Sequence, residues 1–204
     1  MNQKLLFFGD SITQCGSSHL NPLGDGFVSM TARMLTEDPI RVSFDVINAG
    51  IGGDTIVDLI NRYQSDVLPH FPEHIIVKIG INDADNDWMS GLDASRLIQF
   101  KRDYLSLLDQ IFHALPEIRI ALLTPYYISD NKEDALYQRM CAYGNIVKEI
   151  AAELSLPVGD TQIVFDDAVK LKPAINWADD HIHPGAEGHA LLAEYVYNFL
   201  KEII

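Results

Sequence analysis

Short apolar runs alternate with longer amphipathic stretches along this chain. The runs lie at Leu5 to Phe8, Phe44 to Ile47, Ile75 to Ile79 and Ile118 to Leu123, with a weaker one around Val158. Each reads as a strand that is apolar on both faces, the pattern of a parallel sheet covered above and below. Between the runs, Ile56, Leu59, Ile60 and Tyr63 share one helical face. Leu97, Phe100, Tyr104, Leu107, Leu108 and Ile111 share a second, and Leu136, Met140, Tyr143, Val147 and Ile150 a third. Leu192, Tyr195, Val196, Phe199 and Leu200 form a fourth. These spacings follow the i, i+3, i+4, i+7 template of helices with one buried stripe. Strands alternating with such helices imply crossover units. The pattern therefore predicts an α/β fold, a three-layer α/β/α sandwich around a mainly parallel sheet of about five strands. No repeat, low-complexity stretch or Pro/Gly/Ser linker divides the chain, so one domain over residues 1–204 is expected.

In open parallel sheets, ligands bind beyond the carboxyl ends of the strands. Three polar segments fall there. Ser11 follows the first run within Gly9-Asp10-Ser11-Ile12-Thr13, Gly53 follows the second, and Asn82 follows the third within Gly80-Ile81-Asn82-Asp83. A fourth segment, Asp180-His181-Ile182-His183-Pro184, lies near the other end of the chain. Together they supply the parts of a serine hydrolase. Ser11 is the candidate nucleophile, a weak one until a base takes its proton. A serine at a strand-to-helix turn also serves as an ordinary helix cap, and the pentapeptide alone does not separate the two roles. His183 is the candidate base, since imidazole titrates near neutral pH. Asp180, three residues earlier, is placed to hold the imidazole tautomer. Pro184 is expected in the first turn of the last helix.

The candidate oxyanion donors are the N–H groups of Ser11 and Gly53 and the side-chain amide of Asn82. The spacing does not choose between Gly52 and Gly53. His181, with His183, Asp179 and Asp180, also suggests a metal pair, but no third ligand has recognisable spacing. No metal and no organic cofactor is therefore expected. The chain has no Gly-x-Ser-x-Gly elbow, P-loop or Gly-x-Gly-x-x-Gly fingerprint.

The composition narrows the partners. The 204 residues are 48% hydrophobic and 22% charged, ordinary for a globular protein, and the formal net charge is −14. Such a surface repels phosphate backbones and anionic lipid, so no nucleic acid and no membrane partner is expected. Cys15 and Cys141 form no paired motif and read as reduced thiols. Leu5-Leu6-Phe7-Phe8 is too short for a secretory leader, and a cytoplasmic location is expected.

Taken together, the four segments resemble the SGNH branch of the GDSL esterase family. Gly-Asp-Ser-Leu of that family reads Gly-Asp-Ser-Ile here, and Gly-x-Asn-Asp is intact at Gly80 to Asp83. Gly9 to Gly16, Thr124-Pro125-Tyr126-Tyr127-Ile128, Tyr143-Gly144, Asp160-Thr161-Gln162 and Gly188-His189 are similar to segments of the intracellular acetylxylan esterases in the family. The resemblance implies a flavodoxin-like SGNH hydrolase fold, with Ser11, Asp180 and His183 as triad and Ser11, Gly53 and Asn82 as oxyanion hole. It implies a carboxylic ester hydrolase acting on a small-molecule or oligosaccharide ester, with self-association into a homo-oligomer. Asp10, Trp88, Tyr126 and Trp177 are the expected substrate contacts; flat rings with polar handles such as Trp88, Tyr126, Tyr127 and Trp177 suit a sugar face, and such rings equally pack ordinary loops. Gly53 is preferred to Gly52 on the motif match. A lysophospholipase or thioesterase with a longer acyl pocket is the alternative within the family. A non-catalytic carbohydrate-binding protein is the alternative outside it.

Overall fold

The computed structural model describes residues 2–38, 43–86 and 93–204. Five strands, β1 (Gln3–Gly9), β2 (Phe44–Gly50), β3 (His74–Lys78), β4 (Arg119–Leu123) and β5 (Val158–Gly159), form one parallel sheet in the order β2-β1-β3-β4-β5. Every residue of β3 is buried, as is the apolar run of β1, which explains why both read as continuous hydrophobic segments. The strands predicted from the apolar runs are all present.

Eight α-helices connect and flank the strands among the described residues. They are α1 (Ser11–Gln14), α2 (Phe27–Glu37), α3 (Ile56–Asp66), α4 (Ile81–Asn86), α5 (Ala94–Ala114), α6 (Ala135–Leu154), α7 (Thr161–Ala168) and α8 (Ala186–Ile203). Helices α3, α5 and α6 pack against one another, as α2 and α7 do against α8, giving the two outer layers. None of the described helices is long and apolar enough to cross a membrane. Helices α2 and α7 were not evident from periodicity. The buried side of α7 is Thr161, Gln162, Phe165 and Ala168, a stripe that is half polar.

The chain leaves β1 towards β2 on one side and returns to β3 on the other. The order of connection thus reverses between β1 and β3, where the sheet opens a crevice beyond its carboxyl edge. Ser11 follows β1 and Asn82 follows β3, so both stand at that crevice. Gly9 makes the close approach feasible. A Cβ there would lie 2.3 Å from the Lys78 carbonyl oxygen and 2.5 Å from Thr13 Oγ1.

Candidate active site

Ser11 opens α1, and the preceding Asp10 caps it, its Oδ1 accepting the Ile12 N–H at 3.0 Å. The hydroxyl of Ser11 meets His183 Nε2 at 2.8 Å, joining residues 172 positions apart. His183 Nδ1 meets Asp180 Oδ2 at 2.6 Å. Asp180 Oδ1 accepts the N–H groups of Ile182 and His183 at 2.9 and 2.7 Å, so one carboxylate shapes the loop and orients the ring. With Asp180 accepting from Nδ1–H, Nε2 keeps a lone pair towards Ser11. Burial works upward on the Asp180 carboxyl, but the hydrogen bonds from the His183 ring and from the two main-chain N–H groups outweigh it and bring it down to about 2.

His181 anchors this loop. Its Nδ1 lies 2.6 Å from the Ile128 carbonyl oxygen, its own carbonyl accepts the Ile128 N–H at 2.9 Å, and its ring stacks on Tyr127. These contacts hold it in the left-handed region at φ 68°, an uncommon conformation for a side-chain-bearing residue. Pro184 precedes the Gly185 cap of α8 rather than entering its first turn, which begins at Ala186. The extended Gly185 cap, whose N–H donates to the Trp177 carbonyl at 2.7 Å, delays the helix start.

The loop after β2 supplies the other wall. The Gly52 N–H donates to Gln14 Oε1 at 3.0 Å. The Gly53 N–H has no partner among the described residues. Gly53 adopts φ +84°, and a Cβ there would meet nothing within 4 Å. Of the two glycines, Gly53 therefore keeps its donor free among the described residues. Asn82 Nδ2 donates to the Asp54 carbonyl at 2.7 Å, which fixes the amide plane and uses one of its two N–H groups.

Behind both walls sits Arg62, which the motif reading did not single out. Its Nε donates to Asp54 Oδ2 at 2.6 Å, Nη1 to the Ala49 carbonyl at 3.0 Å and to Asp66 Oδ2 at 2.9 Å, and Nη2 to the Gly9 carbonyl at 2.9 Å. One guanidinium thus ties the end of β1 to the end of β2 and to the loop carrying Gly53. The i, i+4 pair with Asp66 is the one sequence signal that marked it.

The four expected substrate contacts fare differently. Asp10 and Tyr126 are fully buried and lie behind the nucleophile turn rather than in its opening. Asp10 is consumed in capping α1, and Tyr126 packs on Phe165 with ring centroids 4.3 Å apart. Neither side chain is exposed as the substrate-contact expectation would have it, because adjacency to a strand end does not decide which side chains turn outward. Trp177 is 7% exposed, and its Nε1 donates to the Lys172 carbonyl. It still lines a cavity of about 380 Å³ beside His183, with Asn176, Asp179 and Asp180 on the same wall. Trp88 lies outside the described residues. Cys15 and Cys141 are free thiols.

Residues 7–191 match the model of the GDSL-like lipase/acylhydrolase family. The chain belongs to that family. As an acylhydrolase of this family it is a carboxylic ester hydrolase. It is 33% identical over 208 residues to an acetylxylan esterase of Geobacillus stearothermophilus, covering 98% of this chain and 94% of the relative. The crystal structure of Axe2, an acetylxylan esterase from the same organism, superposes with a TM-score of 0.88 at 32% identity, covering 97% of this chain and 94% of Axe2. An enzyme from the metagenome of Lake Arreo, Spain, described as an alpha/beta hydrolase, superposes with a TM-score of 0.83 at 30% identity, covering 98% of this chain and 95% of that one. The GDSL acylhydrolase shares its five-stranded SGNH fold with Axe2.

Proposed function

We propose that the protein is a serine esterase that removes acetyl groups from xylan-type carbohydrates through an acyl-enzyme. The observation that carries this reading is the unbroken chain Ser11 Oγ, His183, Asp180, with contacts of 2.8 and 2.6 Å. His183 takes the Ser11 proton as the hydroxyl oxygen attacks the ester carbonyl. The developing oxyanion rests on the N–H groups of Ser11 and Gly53 and on the second N–H of Asn82, donors preset before the charge forms. His183 then delivers the proton to the leaving sugar hydroxyl. Water, deprotonated by the same ring, attacks the acetyl-serine, releasing acetate and restoring Ser11. Asp180 supports the imidazolium in both halves.

Three observations support the acetyl and sugar assignments. The relative with full coverage is an acetylxylan esterase. Solved variants of Axe2 described as catalytic mutants replace a serine, an aspartate or a histidine, the residue types gathered here. The cavity beside His183 presents Asn176 and Asp179, groups suited to a hydroxyl-rich leaving group. Two free thiols and no disulfide suit a reducing cytoplasm as the place of action. Acetate release across acetylated xylo-oligosaccharides, acetylated monosaccharides and aryl esters of increasing chain length tests the reading. Acetylated xylo-oligosaccharides should give the highest kcat/KM, and a preference for octanoate over acetate would contradict it.

A further inference from the structure

Beneath the nucleophile turn lie two buried groups, a lysine and an aspartate, that the catalytic reading does not use and that no hydrogen bond or ion contact joins. Lys78 ends β3, next to Gly9 in the register, and its side chain is entirely buried. Its Nζ has no hydrogen-bonding partner among the described residues and stands 4.6 Å above the ring centre of Tyr126. Asp10, the residue before Ser11, is equally buried, and its Oδ2 also lacks a partner while Oδ1 caps α1.

A lysine in such a place is held against a large cost, because burial disfavours the ammonium. Burial pushes the Lys78 amine down, and the Asp10 carboxylate opposes that push. The carboxylate is in turn short of positive charge. Asp54 repels it, as does Asp83 once ionised, and Arg62 is committed to Asp54, Asp66 and two carbonyls. The Tyr126 hydroxyl and Thr13 Oγ1, buried beside this couple, bring no negative charge and no hydrogen bond to it. His189 also feels Lys78, but it is neutral towards the pair. Its Nδ1 accepts the Phe27 N–H at 3.2 Å, and burial together with the Lys78 charge lowers the ring to about 4.

We propose that Lys78 is a positioning residue whose buried ammonium, acting through the Asp10 carboxylate, holds the capped turn that aims Ser11 at His183. The assignment rests on Ser11 being the nucleophile. It places the cation behind the turn: Lys78 acts on Asp10 through space without a hydrogen bond, Asp10 Oδ1 fixes the Ile12 N–H, and that bond sets the first turn on which Ser11 rides. Lys78 touches neither substrate nor the reacting atoms.

Methionine is close to lysine in volume, so Lys78→Met removes the charge while keeping the packing. Removing one partner of a buried pair leaves the other uncompensated, whereas neutralising both is far milder. Lys78→Met should lower the thermal midpoint and reduce kcat for an aryl acetate by about tenfold or more, a cost typical of a misplaced reacting group, with KM unchanged. The rate at which a fluorophosphonate labels Ser11 should fall in parallel. Asp10→Asn/Lys78→Met should regain most of the midpoint, kcat and labelling rate, because asparagine still caps α1 and no lone charge remains. The midpoint reports the charge couple whatever the reaction, and kcat and labelling report its effect on Ser11. A Lys78→Met variant indistinguishable from the parent, or a double variant no better than Lys78→Met, overturns the proposal. Should Lys78→Met not fold, a folded and active double variant upholds the couple, and a double variant that also fails to fold refutes it.

Discussion

The side-chain amide of Asn82 donates to the main-chain oxygen of Asp54 at 2.7 Å, bolting the loop after β3 to the loop after β2. The bond orients the amide before any ester arrives and leaves the second N–H free for the oxyanion role proposed above. On that proposal, replacing Asn82 with Ala removes a donor that matters most in the transition state. It should lower kcat by roughly 10²- to 10³-fold, the usual cost of one oxyanion donor, with little change in KM. Steady-state kinetics on an aryl acetate check this, and a loss confined to KM would assign Asn82 to ground-state binding instead.

Arg62 sits behind the same loops with four hydrogen bonds from one planar fork. Lysine cannot span the Gly9 and Ala49 carbonyls and two carboxylates at once. Arg62→Lys should therefore release the Gly53 loop from the nucleophile turn. We expect a fall in kcat on the order of 10²-fold from misplaced donors and a lower thermal midpoint. Unchanged kcat in a destabilised Arg62→Lys protein would confine Arg62 to stability.

Asp83 carries a pH signature. Burial raises its carboxyl to about 7, against which the Ile56 N–H bond works downward, while Asp10 and Asp58 push it further up. An unfolded aspartate titrates near 3.9. Between these two values the folded state binds more protons than the unfolded one, so stability from this group is present below about 4 and is lost as pH rises to about 7. Asn at this position still accepts the Ile56 N–H and carries no charge. The unfolding free energy of Asp83→Asn minus that of the parent should therefore grow as pH rises through this window, by an amount on the order of a few kcal/mol. A difference that stays flat from pH 4 to 8 would mean that Asp83 is ionised throughout.

The sheet was legible because β1, β3 and β4 are buried on both faces over most of their length and so read as short apolar runs. The long helices were legible because Leu107, Leu108 and Ile111 in α5, or Val147 and Ile150 in α6, repeat at helical spacing. Helix α2 escaped because its buried stripe contains Thr31 and Ala32 beside Phe27, Val28 and Leu35. The convergence of Ser11 with His183 could be argued from topology, since a first strand and a last helix can meet at one sheet edge. What topology does not carry is side-chain direction. Asp10 and Tyr126 flank the site in sequence, yet both turn into the core, where one caps a helix and the other packs on an aromatic ring. Arg62 belongs to no motif, and the segment that holds Gln14 gives it no role; what both do arises from distances that only the folded loops define. Gly53 is preferred in sequence on the motif match alone; the hydrogen bond that Gln14 accepts from the Gly52 N–H is a feature that only the folded loops add.

The most direct test of the catalytic assignment is the single replacement Ser11→Ala. The exchange removes one oxygen at the start of α1 and leaves the Asp10 cap intact, so the protein should fold with an unchanged thermal midpoint. Acetate release from acetylated xylo-oligosaccharide, measured at high enzyme concentration, should fall by about 10⁴-fold or more, as expected when an activated nucleophile is lost. Turnover at the parent rate in a folded Ser11→Ala protein would contradict the account.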